Sequence, residues 1–385
     1  MRWKAGASAE IGGAPSATAH DCDGVCPVSE YADITAVELE RRYAAGDMDP
    51  VAVWRSVRDR MDAWEPVVHA TSHRDDATAG SEAHAAAERW RAGRPLGPLD
   101  GVPVTVKENI ASAGIPTPLG TAAAELVPAT ADAPVVARLR EAGAVVVAKT
   151  TMPDYGMLTS GVSSLYPTTR NPWNPAWTPG GSSAGAAAAA AAGYGPIHIG
   201  TDIGGSVRLP AGWTGVVGFK PSFGRVPVAP PYYGRVAGPL TRTVADAARA
   251  MAVISLADDR DHMSLPPESL IWDELAGEVT GLRIGLVRDA GAGLPVDPEI
   301  TDAVASAAVA LEGAGAHVEP VESLITEEML SGLDRFWRMR SYRDWSRLPP
   351  ERRARVLAYL RAWLEPAANF TGTPTSSMPS ARWTR

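Results

Sequence analysis

The feature that most constrains this chain is a run of seven alanines, Ala186 to Ala192, directly after Gly180-Gly-Ser-Ser-Ala-Gly185. Alanine is the strongest helix former, so the run predicts a helix. Methyl side chains give that helix no polar face, so it predicts a tightly packed, buried element inside a layered core. The serines before it predict a capped N-terminus. Strand and helix signals alternate around this element, which gives an α/β fold class. Gly101 to Asn109 alternates like a strand, and Ala144 to Ala148 reads as a fully buried one. Helices are expected between Tyr31 and Trp64, split by Gly46 and Pro50, then from His73 to Arg91 and from Ala133 to Ala142. Ile197 to Gly200 reads as a short strand. A β–α–β unit is expected over residues 282–318, and two amphipathic helices broken at Pro349-Pro350 over 329–364. Residues 1–30 read as a mobile leader. No linker or repeat divides 31–385, which is taken as a single domain.

Charge and cysteine content narrow the function classes. The 385 residues carry 36 Lys and Arg against 44 Asp and Glu, a formal net charge of −8. A nucleic-acid or anionic-membrane footprint needs a basic face, so neither partner is expected. Arginines crowd between Arg335 and Arg361, on helical sequence that reads as a solvated face. Two cysteines, Cys22 and Cys26, supply neither a disulfide scaffold nor a full zinc site, so no metal and no cofactor is expected. No long apolar run and no apolar signal segment occur, and a cytoplasmic location is the expectation. Only four of the cations are lysines: Lys4, Lys107, Lys149 and Lys220. Where an arginine-rich chain keeps a lysine, the site can need an amine that loses its proton.

Three segments carry candidate chemistry. Lys107 sits in a strand with Thr105 and Asn109 on its face. If it is buried, desolvation favours the neutral amine, a usable general base; the alternative is a surface lysine snorkelling at a strand end. Gly180-Gly-Ser-Ser-Ala-Gly185 puts two hydroxyls at a helix start. It also fits G-x-S-x-G around Ser183, but a nucleophile elbow needs a strand directly before it and Pro175, Thr178 and Pro179 stand there instead. Thr201-Asp-Ile-Gly-Gly-Ser-Val-Arg208 can turn successive N–H groups inward, the backbone of an oxyanion hole, with Asp202 and Arg208 as an ion pair pinning the turn.

Together, with Ser206 24 positions after Ser182, these segments resemble the amidase signature family. Gly97-Pro-Leu-Asp-Gly-Val-Pro103, Thr169-Arg-Asn-Pro-Trp173, Gly215-Val-Val-Gly-Phe-Lys-Pro221 and Gly238-Pro-Leu-Thr-Arg-Thr-Val-Ala-Asp246 extend the likeness. The resemblance implies a mixed, twisted β-sheet between layers of α-helices. It implies a Ser-Ser-Lys triad: Lys107 as base, Ser182 as the bridging serine preceding a cis peptide bond, and Ser206 as nucleophile. The N–H groups of Ile203, Gly204, Gly205 and Ser206 are implied as the oxyanion hole, with Ser183, Asp202 and Arg208 supporting. The substrate is expected to be a small-molecule linear amide, and a homodimer is compatible with this. Tyr155, Met157, Tyr232 and Tyr233 are pocket candidates, and His198 a satisfied core residue. An alternative is the amidase subunit of a tRNA-dependent amidotransferase, which typically has Gln where this chain has Leu209; a truncated, inactive member is another. Measured against the family the C-terminal part is incomplete or atypical. Asn369-Phe-Thr-Gly-Thr-Pro374 arrives directly after the Trp363 helix, which leaves the expectation of exposed sheet edges.

Overall fold

The computed structural model describes residues 31–275 and 277–370. The expected leader with Lys4, Cys22 and Cys26, and the Thr371–Pro374 half of the C-terminal motif, lie outside the described residues.

Six strands form one mixed sheet: β1 (Thr71–His73), β2 (Pro103–Lys107), β3 (Val145–Thr150), β4 (Ile197–Asp202), β5 (Val217–Gly218) and β6 (Val236–Thr241), in the order β1-β3-β2-β4-β6-β5. β2 lies between β3 and β4 and is parallel to both, whereas β1, β5 and β6 pair antiparallel. Every residue of β2, β4 and β6 is buried, as expected of strands covered on both faces. Two apolar clusters cover the sheet. One joins helices Ala36–Ala45, Pro134–Glu141 and Val244–Ile254 to β2 and β4. The other joins helices Pro50–Val68, Asp76–Arg91 and Ala184–Ala192 to β3.

The alanine helix is Ala184–Ala192, and all but one of its residues are buried. Its packing permits nothing larger: a Cβ on Gly185 would stand 2.2 Å from Ala70 O and 2.4 Å from Thr151 N. The expected cap is corrected here. Ser183 occupies the N-cap position but its side chain makes no capping bond, because Lys107 and Thr201 take its hydroxyl. The helix expected from His73 starts at Asp76, capped by Asp75, since Thr71–His73 pairs with β3 as an edge strand.

The β–α–β unit forms as β7 (Arg283–Leu286), helix Pro298–Gly313 and β8 (His317–Pro320), with β7 and β8 parallel in a separate two-stranded sheet. Only Ala308 of that helix is buried. Beyond it, helices Glu327–Ser346, Pro350–Arg353 and Ala358–Leu364 pack through Trp345, Val356, Leu360 and Leu364 onto Ala123, Tyr155 and Met157. The arginines here do not form a plain solvated face. Arg352 donates to Ala123 O, Arg338 to Trp363 O, and Arg340 stacks 3.5 Å over Tyr232. Among the described residues no helix is long and apolar enough to cross a membrane.

Candidate active site

Because β2 and β4 are adjacent and parallel, their last residues, Lys107 and Asp202, emerge at the same end of the sheet. Ligands in open α/β sheets bind at such carboxyl ends. The N-terminus of the alanine helix faces that end too, so Ser182 and Ser183 meet Lys107 there.

Lys107 has no solvent exposure. Its Nζ donates to Ser182 Oγ at 2.8 Å and to Ser183 Oγ at 3.1 Å. Burial, and then the Arg235 charge, hold the amine well below its ordinary range, and the partial opposition of Asp202 and Glu108 does not reverse this. The snorkelling alternative is therefore excluded. Ser183 has its own partners, donating to Thr201 O and accepting from Thr201 N, both at 3.2 Å. That fixes its hydroxyl and leaves Ser182 as the freer of the two. The Gly181–Ser182 peptide bond is cis, so Ser182 follows that bond rather than preceding it.

Ser206 lies in the turn between β4 and helix Arg208–Thr214, half-buried, and its carbonyl accepts the Ser183 N–H at 3.1 Å. Its hydroxyl has no hydrogen bond among the described residues. Asp202 organises the turn. Its Oδ1 accepts from Gly205 N (2.8 Å) and Arg208 Nη2 (2.9 Å); its Oδ2 accepts from Val207 N (3.0 Å) and Arg208 Nε (3.1 Å). Burial raises the Asp202 carboxyl, but Arg208 and the two N–H groups outweigh it and hold it below the usual carboxylate range. The expected ion pair is present. One member of the expected oxyanion set is corrected: the Gly205 N–H points to Asp202. The N–H groups of Ile203, Gly204 and Ser206 carry no intramolecular bond among the described residues.

A cleft of about 40 Å³ opens beside this centre, lined by Asn109, Leu119, Tyr155, Met157, Tyr232 and Arg235, and closed on one side by Arg340 and Asp344. Three pocket candidates, Tyr155, Met157 and Tyr232, line it. Tyr233 does not; it is 61% exposed and packs edge-on against Phe223. Cleft residues missed from sequence are Leu119, Met152, Arg235, Arg340, Ser341 and Asp344. Their contribution depends on a loop and a late helix folding back, which carries no local signal. His198 accepts from Thr105 Oγ1 at Nδ1 and donates from Nε2 to Gly195 O; burial holds it near 3, so it is a neutral core residue. Lys149 bonds Ile110 O and Ser112 Oγ, and Lys220 bonds Pro221 O.

The sequence matches the family described as Amidase over residues 52–346. Among curated proteins it is similar to the A-subunit of glutamyl-tRNA(Gln) amidotransferase from Chloroflexus aurantiacus, 38% identical over 271 residues, covering 68% of this chain and 55% of that protein. Its counterpart from Acidothermus cellulolyticus is 41% identical over 265 residues, covering 66% and 52%. The chain thus spans about half the length of these curated relatives. Among solved structures, a bacterial aryl acylamidase of the amidase signature family superposes with a TM-score of 0.80 at 31% identity, covering 88% of this chain and 73% of that one. Peptide amidase from Stenotrophomonas maltophilia gives 0.75 at 30%, covering 89% and 77%.

Proposed function

This chain belongs to the Amidase family, and from that premise we propose that it hydrolyses a linear carboxylic amide to an acid and ammonia or an amine through an acyl-enzyme on Ser206. The observation that carries this reading is the buried Lys107 amine 2.8 Å from Ser182 Oγ. With the amine neutral, the Ser182 hydroxyl turns its proton onto the Nζ lone pair. The Ser206 hydroxyl swings onto Ser182 as substrate arrives, a tightening that free enzymes commonly need. Ser206 Oγ loses its proton to Ser182 Oγ, Ser182 passes its own to Lys107, and Ser206 Oγ bonds the carbonyl carbon. The oxyanion is received by the N–H groups of Ile203, Gly204 and Ser206, while Asp202 fixes the turn that aims them. Ser182 then protonates the leaving nitrogen as the C–N bond breaks, and Lys107 re-protonates Ser182. Water enters by the same relay and releases the acid.

The curated relatives favour a second reading over a free-standing hydrolase: the amidase subunit of a tRNA-dependent amidotransferase. It uses the same Ser206 chemistry on glutamine, with the ammonia passed to a partner protein. Leu209, beside the oxyanion turn, stands against it. Ammonia release from a panel of aliphatic, aryl and amino-acid amides tests both. Turnover by the isolated chain supports the hydrolase; glutaminase activity only with partner proteins supports the second. No release under either condition, from folded protein, leaves the inactive-member alternative.

A further inference from the structure

The residue after the buried lysine reaches the opposite way. Glu108 is 1% exposed, and its carboxylate accepts the Leu119 N–H at 2.5 Å and the Gly120 N–H at 2.7 Å. Both loop residues are left-handed, Leu119 at φ 56° and Gly120 at φ 70°. A leucine at positive φ persists only where its surroundings hold it. Leu119 O in turn accepts the N–H of Tyr155, a second left-handed non-glycine residue, at φ 53°. The following Gly156 packs so closely that a Cβ there would lie 3.1 Å from Ser182 Oγ. Leu119 and Tyr155 both line the cleft.

We propose that Glu108 is a positioning residue: its carboxylate clamps the Leu119–Gly120 pair, and through it the Tyr155–Gly156 wall that holds the substrate's acyl group beside Ser182. One strand end then carries both the base and the strut of the pocket. This rests on the reading of Ser206 as the nucleophile. The clamp needs an ionised carboxylate, since only that form accepts two N–H bonds without presenting a proton to either. Burial pushes Glu108 up to about 7, against the Gly120 and Leu119 N–H groups, Lys149 on β3 and the Tyr166 hydroxyl. Lys107, its chain neighbour, points to the other face of the sheet but feels its charge. The clamp is therefore closed above neutral pH and loosens below it.

The test uses Glu108→Gln, which keeps the shape but turns an NH2 group against one of the two N–H donors. For amide substrates, KM should rise about tenfold at pH 8, as expected for one charge-assisted bond lost. Wild-type KM should climb as pH falls through 7, and the variant's should stay flat there. Tyr166→Phe removes a group that lowers Glu108, so its KM limb should move to higher pH. It also serves as the second variant if Glu108→Gln does not fold. Hydrogen exchange at Leu119 and Gly120, corrected for intrinsic rate, gives a readout independent of turnover. It should be faster in Glu108→Gln at pH 8, and wild type should approach the variant at pH 6. Wild-type KM, pH limb and exchange in both variants would overturn the clamp. If no amide is turned over by any form, the hydrolase reading fails, and the exchange result still decides the clamp.

Discussion

Asp202→Asn is the perturbation that most directly separates the turn's architecture from its chemistry. In the native turn one carboxylate accepts the Gly205 and Val207 N–H groups and the Nε and Nη2 donors along one edge of the Arg208 guanidinium. An asparagine can keep one side of this set with its oxygen but must oppose the other with an NH2. If it keeps Val207, the Gly205 N–H loses its acceptor and meets a donor. An orphaned buried donor costs about 1–3 kcal/mol, and the lost charge weakens the retained bonds. Arg208 is 51% exposed, so its share is discounted for solvent screening. A stability loss of about 2–4 kcal/mol follows, read as a shift of the urea midpoint at constant slope. The N–H groups of Gly204 and Ser206 flank the disturbed residue, so kcat should fall about 10²-fold with KM little changed, as for removal of an oxyanion donor. The sign with pH is specific. A carboxyl held below its unfolded value stabilises fully above the unfolded value near 3.8 and is lost as pH falls through the lower folded one. Wild type and variant should therefore differ by a constant amount from pH 5 to 9 and converge only in strong acid. Native kcat despite the stability loss would refute the argument that Asp202 aims the oxyanion turn.

Lys107→Ala should lose at least about 10²-fold in kcat, and Lys107→Arg should not recover it, because a guanidinium stays protonated; steady-state turnover of both decides. Wild-type kcat/KM should rise with pH as the free-enzyme amine deprotonates, its position held below the usual lysine range by burial. Lys149 is pushed down to about 7 by burial against 10.5 when exposed, so the unfolded chain binds the extra proton between those values. Lys149 should contribute about 2–3 kcal/mol to the rise in stability from pH 8 to 10, and denaturation curves of Lys149→Met should show a rise smaller by that amount, the part due to Lys107 remaining. Gly185→Ala should cost about 3 kcal/mol or more, since its Cβ meets fixed backbone. Gly212→Ala, with nothing within 4 Å, should be neutral or stabilising in the same melts.

Much of the scaffold was legible because local rules and tertiary packing agree. Gly46 ends one helix at φ 74° and Asp49 caps the next; the apolar runs at Val104–Val106 and Val145–Ala148 became the sheet centre. β6, Val236-Ala-Gly-Pro-Leu-Thr241, was illegible as a strand because glycine and proline break its pattern, yet β4 and β5 hold it on both sides. At the site, Lys107, Ser182 and the 202–208 turn were visible through residue types that mere structure does not require. The pocket was not. Arg340 and Asp344 sit on a helix whose charges read as solvent-facing, and only docking of Trp345, Leu360 and Leu364 onto the 119–157 loops carries them to the cleft. Gly205 fell out of the oxyanion set because sequence shows which N–H groups a turn offers, not which of them a neighbouring carboxylate takes.

The central claim, a Ser206 nucleophile activated through Ser182 by a neutral Lys107, is tested most directly by covalent labelling with a fluorophosphonate, located by peptide mass spectrometry. One adduct is expected, on Ser206, and none in Ser206→Ala. Its rate should rise with pH in wild type and fall by about 10²-fold or more in Lys107→Ala. Labelling of another serine, or of Ser206 at an unchanged rate without Lys107, would contradict it.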